Sequence, residues 1–308
     1  MRFHYTWFHV TLRLTQDCIL IRDATARRLA IGLVHQHLGP HGLLAFGFAD
    51  DHLHFLILGD RQEVGQAIRR LELALRQVLG IPVAFERARI REGEGQRHLA
   101  NAYPYSMRQP WSHKLNSDDS LEGSSWHELM GTRFDPSDLA GRLKDALPRV
   151  DAADYLSLFL DVEGRDPGSP AIIAAPPVLD PVSLARGVEA ATASLSARGP
   201  HGDRVRRWAG VLAAPDLPSQ EVAAALGIGL RTVQRVRARQ KDESTWRCGG
   251  ASADNPNVRP PDLAGWRIAQ KAALCVRRWV EFEELLRLQR RREAASPTAD
   301  PRRGESSP

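Results

Sequence analysis

Alternating apolar and polar positions at the start of the chain predict a half-buried β-strand. Its apolar positions are Phe8, Val10, Leu12 and Leu14. Two further apolar runs, Gly42 to Ala49 and His52 to Leu58, are separated by a polar turn and predict an antiparallel hairpin. A fourth strand is predicted from Val83 to Ile90.

Two segments with helical spacing lie between these strands. Asp23 can cap the first helix, and Gly39-Pro40 ends it. The second runs from about Arg61 to Leu79 and ends at Gly80. Its apolar face includes Val64, Ile68, Leu71, Leu75 and Val78. The order β-α-β-β-α-β predicts a ferredoxin-like, four-stranded antiparallel sheet with both helices on one face.

Beyond residue 132 the pattern changes to short helices, over 139–147 and 153–160, and a Pro- and Gly-rich stretch. A helical region follows from about residue 180, so we predict an α+β chain with an all-α C-terminal domain. The predicted divisions are 1–132, a connecting part 133–180, a helical domain 181–293 and a disordered tail 294–308.

Composition narrows the class of protein without fixing it. The chain has 308 residues, 43% of them hydrophobic and 26% charged, as in a soluble globular protein of two domains. The net charge of +5 permits a nucleic-acid partner but does not require one. Three distant cysteines predict neither a zinc knuckle nor a disulfide framework. With no signal peptide and no run of roughly 20 apolar residues, we expect a cytoplasmic protein without membrane association.

The chemistry-bearing motif of the N-terminal half is His52-Leu53-His54, at the start of the third strand. Side chains at i and i+2 of a strand share a face, so both imidazoles can bind one cation. A pair of satisfied polar side chains remains the alternative interpretation.

Tyr105 and Gln109 are four residues apart and would share one face of a helix. This spacing suits a tyrosine nucleophile beside a third metal ligand. Tyr103 is a rival nucleophile, and Tyr105 can also be a core or edge aromatic. Pro104 and Pro110 bracket the segment, and a helix that starts at Pro104 would be very short and could exclude Gln109.

The C-terminal half contains a second motif, residues 219–239, which is similar to a helix-turn-helix. Ala223 is small at the helix crossing and Gly227 falls in the turn. The second helix would place five residues outward for phosphate and base contacts in duplex DNA: Arg231, Thr232, Gln234, Arg235 and Arg239. An ordinary helical hairpin with a basic face is the alternative.

A long amphipathic helix is predicted from Arg267 to Arg292. Its predicted apolar stripe is Leu274, Trp279, Phe282, Leu285 and Leu288. Such a helix could pack on the helix-turn-helix, form a dimer seam or lie along DNA phosphates.

Together these motifs resemble the IS200-like, single-tyrosine (HUH) transposases, including the REP-associated tyrosine transposases. The resemblance spans about residues 1–132 and rests on four segments: Trp7–Arg13, Asp51–His54, Tyr105–Gln109 and Ser124–Gly131. One departure is Asp51, which stands where the family usually has Asn.

The resemblance implies a transposase that cleaves and rejoins single-stranded hairpin DNA, with a bacterial-type, nucleoid-associated location. Tyr105 would form a 5′-phosphotyrosine and release a 3′-hydroxyl. His52, His54 and Gln109 would hold Mg²⁺ or Mn²⁺, which polarises the phosphate. The family also implies a possible homodimer.

Two other functions fit the same sequence. One is an inactive, transposase-derived regulator that binds DNA, which would turn Tyr105 into the core. The other is a metal-dependent RNA nuclease or phosphodiesterase that uses the histidines but not the tyrosine. For the second, Tyr105→Phe would retain cleavage without a covalent adduct.

Overall fold

A computed structural model describes residues 6–16, 19–49, 51–109, 121–151, 153–155, 179–247 and 262–295. Four strands form one sheet in the order β2-β3-β1-β4, and every neighbouring pair is antiparallel. Their bounds are β1 Trp7–Arg13, β2 Leu43–Phe48, β3 His52–Leu58 and β4 Arg89–Gly93. The α+β class is therefore confirmed.

Helices make up most of the remaining described residues. We number them α1 Ala24–His37, α2 Arg61–Leu79, α3 Gly95–Met107, α4 Trp126–Leu129, α5 Leu139–Ala146, α6 Pro181–Ala191, α7 Gly199–Ala213, α8 Ser219–Ala225, α9 Leu230–Arg247 and α10 Leu263–Ala295. Short 3-10 turns lie at Gly39–His41 and Ala193–Leu195. Asp23 and Asp60 cap α1 and α2 through their side chains, and Gly80 ends α2 in the left-handed region.

The two faces of the sheet have different roles because side chains alternate along each strand. Phe8, Val10 and Leu12 of β1 point to the face covered by α1 and α2. Leu53, Phe55 and Ile57 of β3 join them in the same core. On the opposite face, α3 covers one end of the sheet around Trp7 and Leu56, and polar side chains occupy the other end.

The fourth strand begins later than predicted. Phe85 makes only an isolated bridge to Leu14, residues 86–88 are irregular, and β4 starts at Arg89. In one regular strand Phe85 and Ile90 would point to opposite faces, because they are an odd number of residues apart. Both pack into the core beneath α1 and α2. The interruption lets both side chains reach that core.

The helices after residue 179 share a second core, which α10 joins. Its members include Leu184, Val205, Val222, Val233, Trp266 and Val276. The stripe predicted for α10 is correct at Trp279, but Leu274 and Leu285 are exposed. Val78 on α2 is likewise exposed, so it was wrongly placed on the buried face.

The helix predicted over 153–160 is described only at 153–155, and the stretch 156–178 lies outside the described residues. Of the predicted tail, residues 294–295 belong to α10 and 296–308 lie outside the described part. Among the described helices, none combines the length and apolarity that crossing a bilayer requires.

Candidate active site

A pocket of about 250 Å³ opens on the polar end of the sheet. Its walls come from β1, β3, β4, the residues leading into β4, and the last turn of α3. The lining residues are His9, Thr11, Arg13, His52, His54, Glu86, Arg87, Arg89, Arg91 and Tyr105. Four arginines and three histidines against one glutamate give the pocket a basic lining, which favours an anionic ligand.

Strand register explains why these side chains meet. Thr11 of β1 lies opposite His54 of β3 on one side and opposite Arg89 of β4 on the other. Arg13 pairs with His52, and His9 pairs with Arg91. Cross-strand partners point to the same face, so three strands contribute to one surface.

The predicted histidine pair is brought together as the spacing requires, with ring centroids 4.8 Å apart. His52 Nδ1 lies 2.6 Å from Asp51 Oδ1, and Arg13 makes an ion pair with the same carboxylate at 2.8 Å. Burial alone would raise the pKa of Asp51, but His52 and Arg13 outweigh it and the pKa is lowered. Asp51 is therefore a carboxylate at neutral pH.

A third histidine, His9, contacts His54. The His9 Nε2 and His54 Nδ1 atoms are 2.9 Å apart, and the rings are stacked at 5.1 Å. Thr11 Oγ1 is 3.5 Å from the same His54 nitrogen. Burial lowers the pKa of His9, and the positive charge of Arg91 and the neighbouring His98 add to this. His9 is thus held in its neutral form.

Tyr105 faces the histidines from the last turn of α3. Its ring centroid is 5.5 Å from that of His54 and 6.0 Å from that of His9. The side chain is 54% exposed and lines the pocket. Tyr103 instead is buried against Tyr155, and burial, followed by the Asp154 charge, raises its pKa.

The helix that carries Tyr105 starts at Gly95 rather than at Pro104, so Pro104 lies inside it. Pro104 has no N–H for the preceding turn, and α3 ends at Met107, one turn later. The Arg108 N–H still bonds to the Pro104 carbonyl at 3.0 Å. Pro110 lies outside the described residues.

Gln109 follows α3 and does not line the pocket. Its side chain is buried, and its amide nitrogen donates to the Tyr105 carbonyl at 3.1 Å. The sequence predicts Gln109 as a metal ligand beside the side chain of Tyr105. The structure brings it next to the Tyr105 backbone, as a bond across the end of the helix.

Gly47 allows α3 to approach the histidines. It lies on β2 directly opposite His54, and a Cβ at this position would overlap the Ser106 carbonyl. Gln109 Cβ would lie 3.5 Å from the same added atom. A larger residue here would therefore push the tyrosine helix away from β3.

The described residues contain no group of three His, Cys, Asp or Glu side chains arranged around one metal position. The His52 and His54 pair nevertheless fits a divalent cation with nitrogen affinity. Both Nδ1 atoms are engaged by neighbours, at Asp51 and His9, so a metal would bind the Nε2 atoms. Two imidazoles suit Mn²⁺ better than Mg²⁺.

Comparison with known proteins adds one structural likeness. The chain is similar to a REP-associated tyrosine transposase bound to a REP hairpin, with 16% identity and a TM-score of 0.32. The match covers 42% of this chain and 82% of that chain. No protein-family model and no curated protein matches the chain. A likeness at this identity and TM-score does not establish a function for this chain.

The second predicted site, on α8 and α9, has the expected turn. Gly227 adopts a positive φ of 60°, and the Ile228 N–H bonds to the Ala223 carbonyl at 3.0 Å. Val222, Val233 and Val236 are buried between the helices.

The five residues assigned to DNA contact on α9 differ in position. Arg231, Gln234 and Arg235 are exposed, and Thr232 is half-buried. Arg239 departs from the prediction: its guanidinium lies over the Trp266 ring at 4.3 Å and near Trp208. Arg239 is half-buried, and its cation–π contact with Trp266 of α10 turns the guanidinium toward the helical core.

Sequence reasoning missed His9, Gly47 and the arginines of β4. The alternation of Arg87, Arg89 and Arg91 was a usable signal, because a period of two predicts one shared face. His9 also alternates with the buried residues of β1. Its place beside His54 depended on the β1–β3 register, which sequence alone does not give.

Proposed function

We propose that this protein is a DNA transesterase of the single-tyrosine type, with Tyr105 as nucleophile and a divalent cation at His52 and His54. The observation that carries the proposal is the position of Tyr105. It is exposed in an arginine-rich pocket, with its ring 5.5 Å from that of His54. Tyrosine, imidazoles and arginines together suit attack on a phosphodiester.

The residues of the chain would divide the reaction between them. Arg89 and Arg91 hold the anionic DNA backbone and offset its charge. The Tyr105 oxygen attacks phosphorus, the bond from phosphorus to the 3′ oxygen breaks, and a 5′-phosphotyrosine forms. The tyrosine hydroxyl loses its proton, and the departing 3′ oxygen gains one. Attack by that 3′-hydroxyl on the phosphotyrosine reverses the step and rejoins DNA.

His52 and His54 would hold the cation. Gln109 is a further candidate ligand, and binding would require its amide oxygen to turn toward the two histidines. A bound cation would polarise a non-bridging phosphate oxygen and lower the barrier to attack. The proposed substrate is single-stranded DNA next to a hairpin, as the family resemblance implies.

We also interpret the strand order and the β-α-β-β-α-β sequence as ferredoxin-like, and the α8–α9 pair as a helix-turn-helix for duplex DNA. The exposed side chains of Arg231, Gln234 and Arg235 support this second DNA contact. The transposase would then hold single-stranded and duplex DNA on different surfaces.

An inactive DNA-binding regulator on the same scaffold is the alternative. It would have no need for an accessible hydroxyl beside the histidines. The exposure of Tyr105, in contrast with the burial of Tyr103, favours the catalytic proposal.

The decisive experiment is a covalent-adduct assay. Labelled single-stranded hairpin DNA is incubated with the protein and Mn²⁺ or Mg²⁺, then separated on a denaturing gel. We expect a labelled protein band that is lost in Tyr105→Phe and in the His52→Ala/His54→Ala double variant. Tyr103→Phe is the matched control and should retain the band, because Tyr103 lies in the core.

Two outcomes would contradict the proposal. Tight DNA binding without an adduct, across varied hairpins and both metals, would favour the regulator. Cleavage that persists in Tyr105→Phe without any adduct would indicate water as the nucleophile and a nuclease or phosphodiesterase.

A further inference from the structure

Each of the two candidate metal ligands makes a hydrogen-bond contact through its Nδ1 atom, and the partner residue differs between the two. Asp51 Oδ1 contacts His52 Nδ1 at 2.6 Å, and His9 Nε2 contacts His54 Nδ1 at 2.9 Å. Neither neighbour is itself a ligand in the proposed site.

Hydrogen-bond chemistry fixes the proton at His52. An ionised carboxylate only accepts, so His52 Nδ1 must carry the proton that is donated to Asp51. The lone pair of a neutral His52 then lies on Nε2. Arg13 holds Asp51 in place from the adjacent strand at 2.8 Å, so the acceptor has a fixed position.

In the contact between His9 and His54, either ring can be the hydrogen-bond donor. Metal binding at His54 allows only one of these two arrangements. A cation bound at His54 Nε2 needs the lone pair there, so His54 Nδ1 must donate and His9 Nε2 must accept. His9 sits on β1 at a position fixed by the pairing of β1 with β3 and β4. Thr11 Oγ1, at 3.5 Å, is a weaker partner of the same nitrogen.

We propose that Asp51 and His9 are positioning residues that keep His52 and His54 protonated at Nδ1, so that both Nε2 atoms face one divalent cation. The inference deepens the proposed function, since it rests on His52 and His54 being the ligands of that site. It assigns roles to two residues that would touch neither substrate nor metal.

Asp51 gives His52 a charged hydrogen-bond partner. A carboxylate partner orients an imidazole and also makes it a more basic ligand than an amide partner does. Asn at this position, the usual residue of the resembled family, would keep an acceptor oxygen but remove the charge. We therefore expect the unaltered protein, in which Arg13 and His52 both contact Asp51, to bind the cation more tightly than the Asp51→Asn variant.

Mn²⁺ binding to the metal-free protein, measured from the EPR signal of unbound Mn²⁺, tests this without catalysis. We expect His9→Phe and Asp51→Ala to weaken binding by about 10- to 100-fold. His9→Gln and Asp51→Asn keep an acceptor and should recover part of that loss. His41→Phe is the control, because His41 lies at the opposite end of the β2–β3 hairpin and contacts Arg70.

Nitrogen-15 NMR of ring-labelled histidine tests the same inference on the unaltered chain. The His52 and His54 resonances are assigned from the His52→Ala and His54→Ala variants. We expect both rings to be protonated at Nδ1 in the metal-free protein. A His54 ring protonated at Nε2 would overturn the role of His9, even if His9→Phe did not fold.

The results separate this inference from the proposed function. Unchanged Mn²⁺ affinity in folded His9→Phe and Asp51→Ala would overturn the inference, whether or not the Tyr105 adduct forms. Weakened affinity with recovery in the conservative variants would support it, even if no adduct is ever seen.

Discussion

At the scale of single residues, the candidate site depends on one glycine that makes no chemical contribution. Gly47 lies opposite His54, and the space of its absent Cβ is occupied by the Ser106 carbonyl. Ser106 directly follows Tyr105. Because Gly47 has no side chain, the end of α3 can approach β2 and Tyr105 can lie close to His54.

We predict that Gly47→Ala displaces the end of α3 and slows adduct formation by roughly 100-fold, because an ångström of misplacement has an effect of that order. Single-turnover rates of adduct formation would measure this. Gly65→Ala on α2 is the matched control, since an added Cβ there meets only Ile90 at an ordinary 3.8 Å. A folded Gly47→Ala protein with the unaltered rate would contradict the prediction.

At the scale of elements, the arginines of α9 lie in two different environments. Arg231 and Arg235 are exposed, whereas Arg239 packs on Trp266. Arg237 bonds to the start of α8 through Ser219 Oγ at 2.8 Å and to the loop between α7 and α8 through the Ala214 carbonyl at 2.9 Å. Two arginines of α9 thus pack within the protein, whereas two others face solvent.

We predict that Arg231→Ala/Arg235→Ala weakens binding to a mixed-sequence DNA duplex. The slope of log affinity against log salt should fall by about one for each phosphate that the protein no longer neutralises. Fluorescence anisotropy at several salt concentrations measures both. Arg69→Ala, an exposed arginine on α2, should leave the slope unchanged. An equal slope in the double variant would indicate an ordinary helical hairpin.

Elements with strong periodicity were predictable from sequence, and positions that depend on contacts between elements were not. The bounds of β3 and α2 agree with prediction, because Asp60 and Gly80 mark the helix ends locally. The late start of β4 follows from a core that both Phe85 and Ile90 must reach. The position of Tyr105 beside His54 likewise depends on Gly47, which lies opposite His54 in a β2–β3 register that the sequence does not reveal.

At the scale of the whole molecule, the segment from 121 to 134 joins the sheet to the C-terminal helices. Ser125 N–H bonds to the Phe46 carbonyl of β2, and Phe134 N–H bonds to the Ala191 carbonyl at the end of α6. Inside this segment, Glu128 is fully buried between His35, at 2.8 Å, and Arg133, at 3.0 Å. One buried carboxylate therefore sits where both halves of the chain meet.

We predict that Glu128 makes the whole molecule sensitive to acid. Burial would raise its pKa, but Arg133 and His35 outweigh burial, so its pKa lies below the ordinary 4.5. Its stabilisation is complete above the unfolded pKa and is lost as pH falls through the folded pKa. Glu128→Gln leaves Arg133 buried without its charge partner and should cost about 3–5 kcal/mol at neutral pH.

Urea unfolding followed by tryptophan fluorescence, from pH 7 downward, measures this cost. The gap in the free energy of unfolding between the unaltered protein and Glu128→Gln should narrow as the pH falls below 4.5. Protonation of Glu128 then removes the same charge that the substitution removes. Glu281→Gln, an exposed carboxylate on α10, should show little gap at any pH. A gap for Glu128→Gln that stays constant with pH would mean that lost packing, rather than lost charge, causes the destabilisation. Because Glu128 lies at the junction of sheet and helices, its loss should also move the unfolding of both halves together.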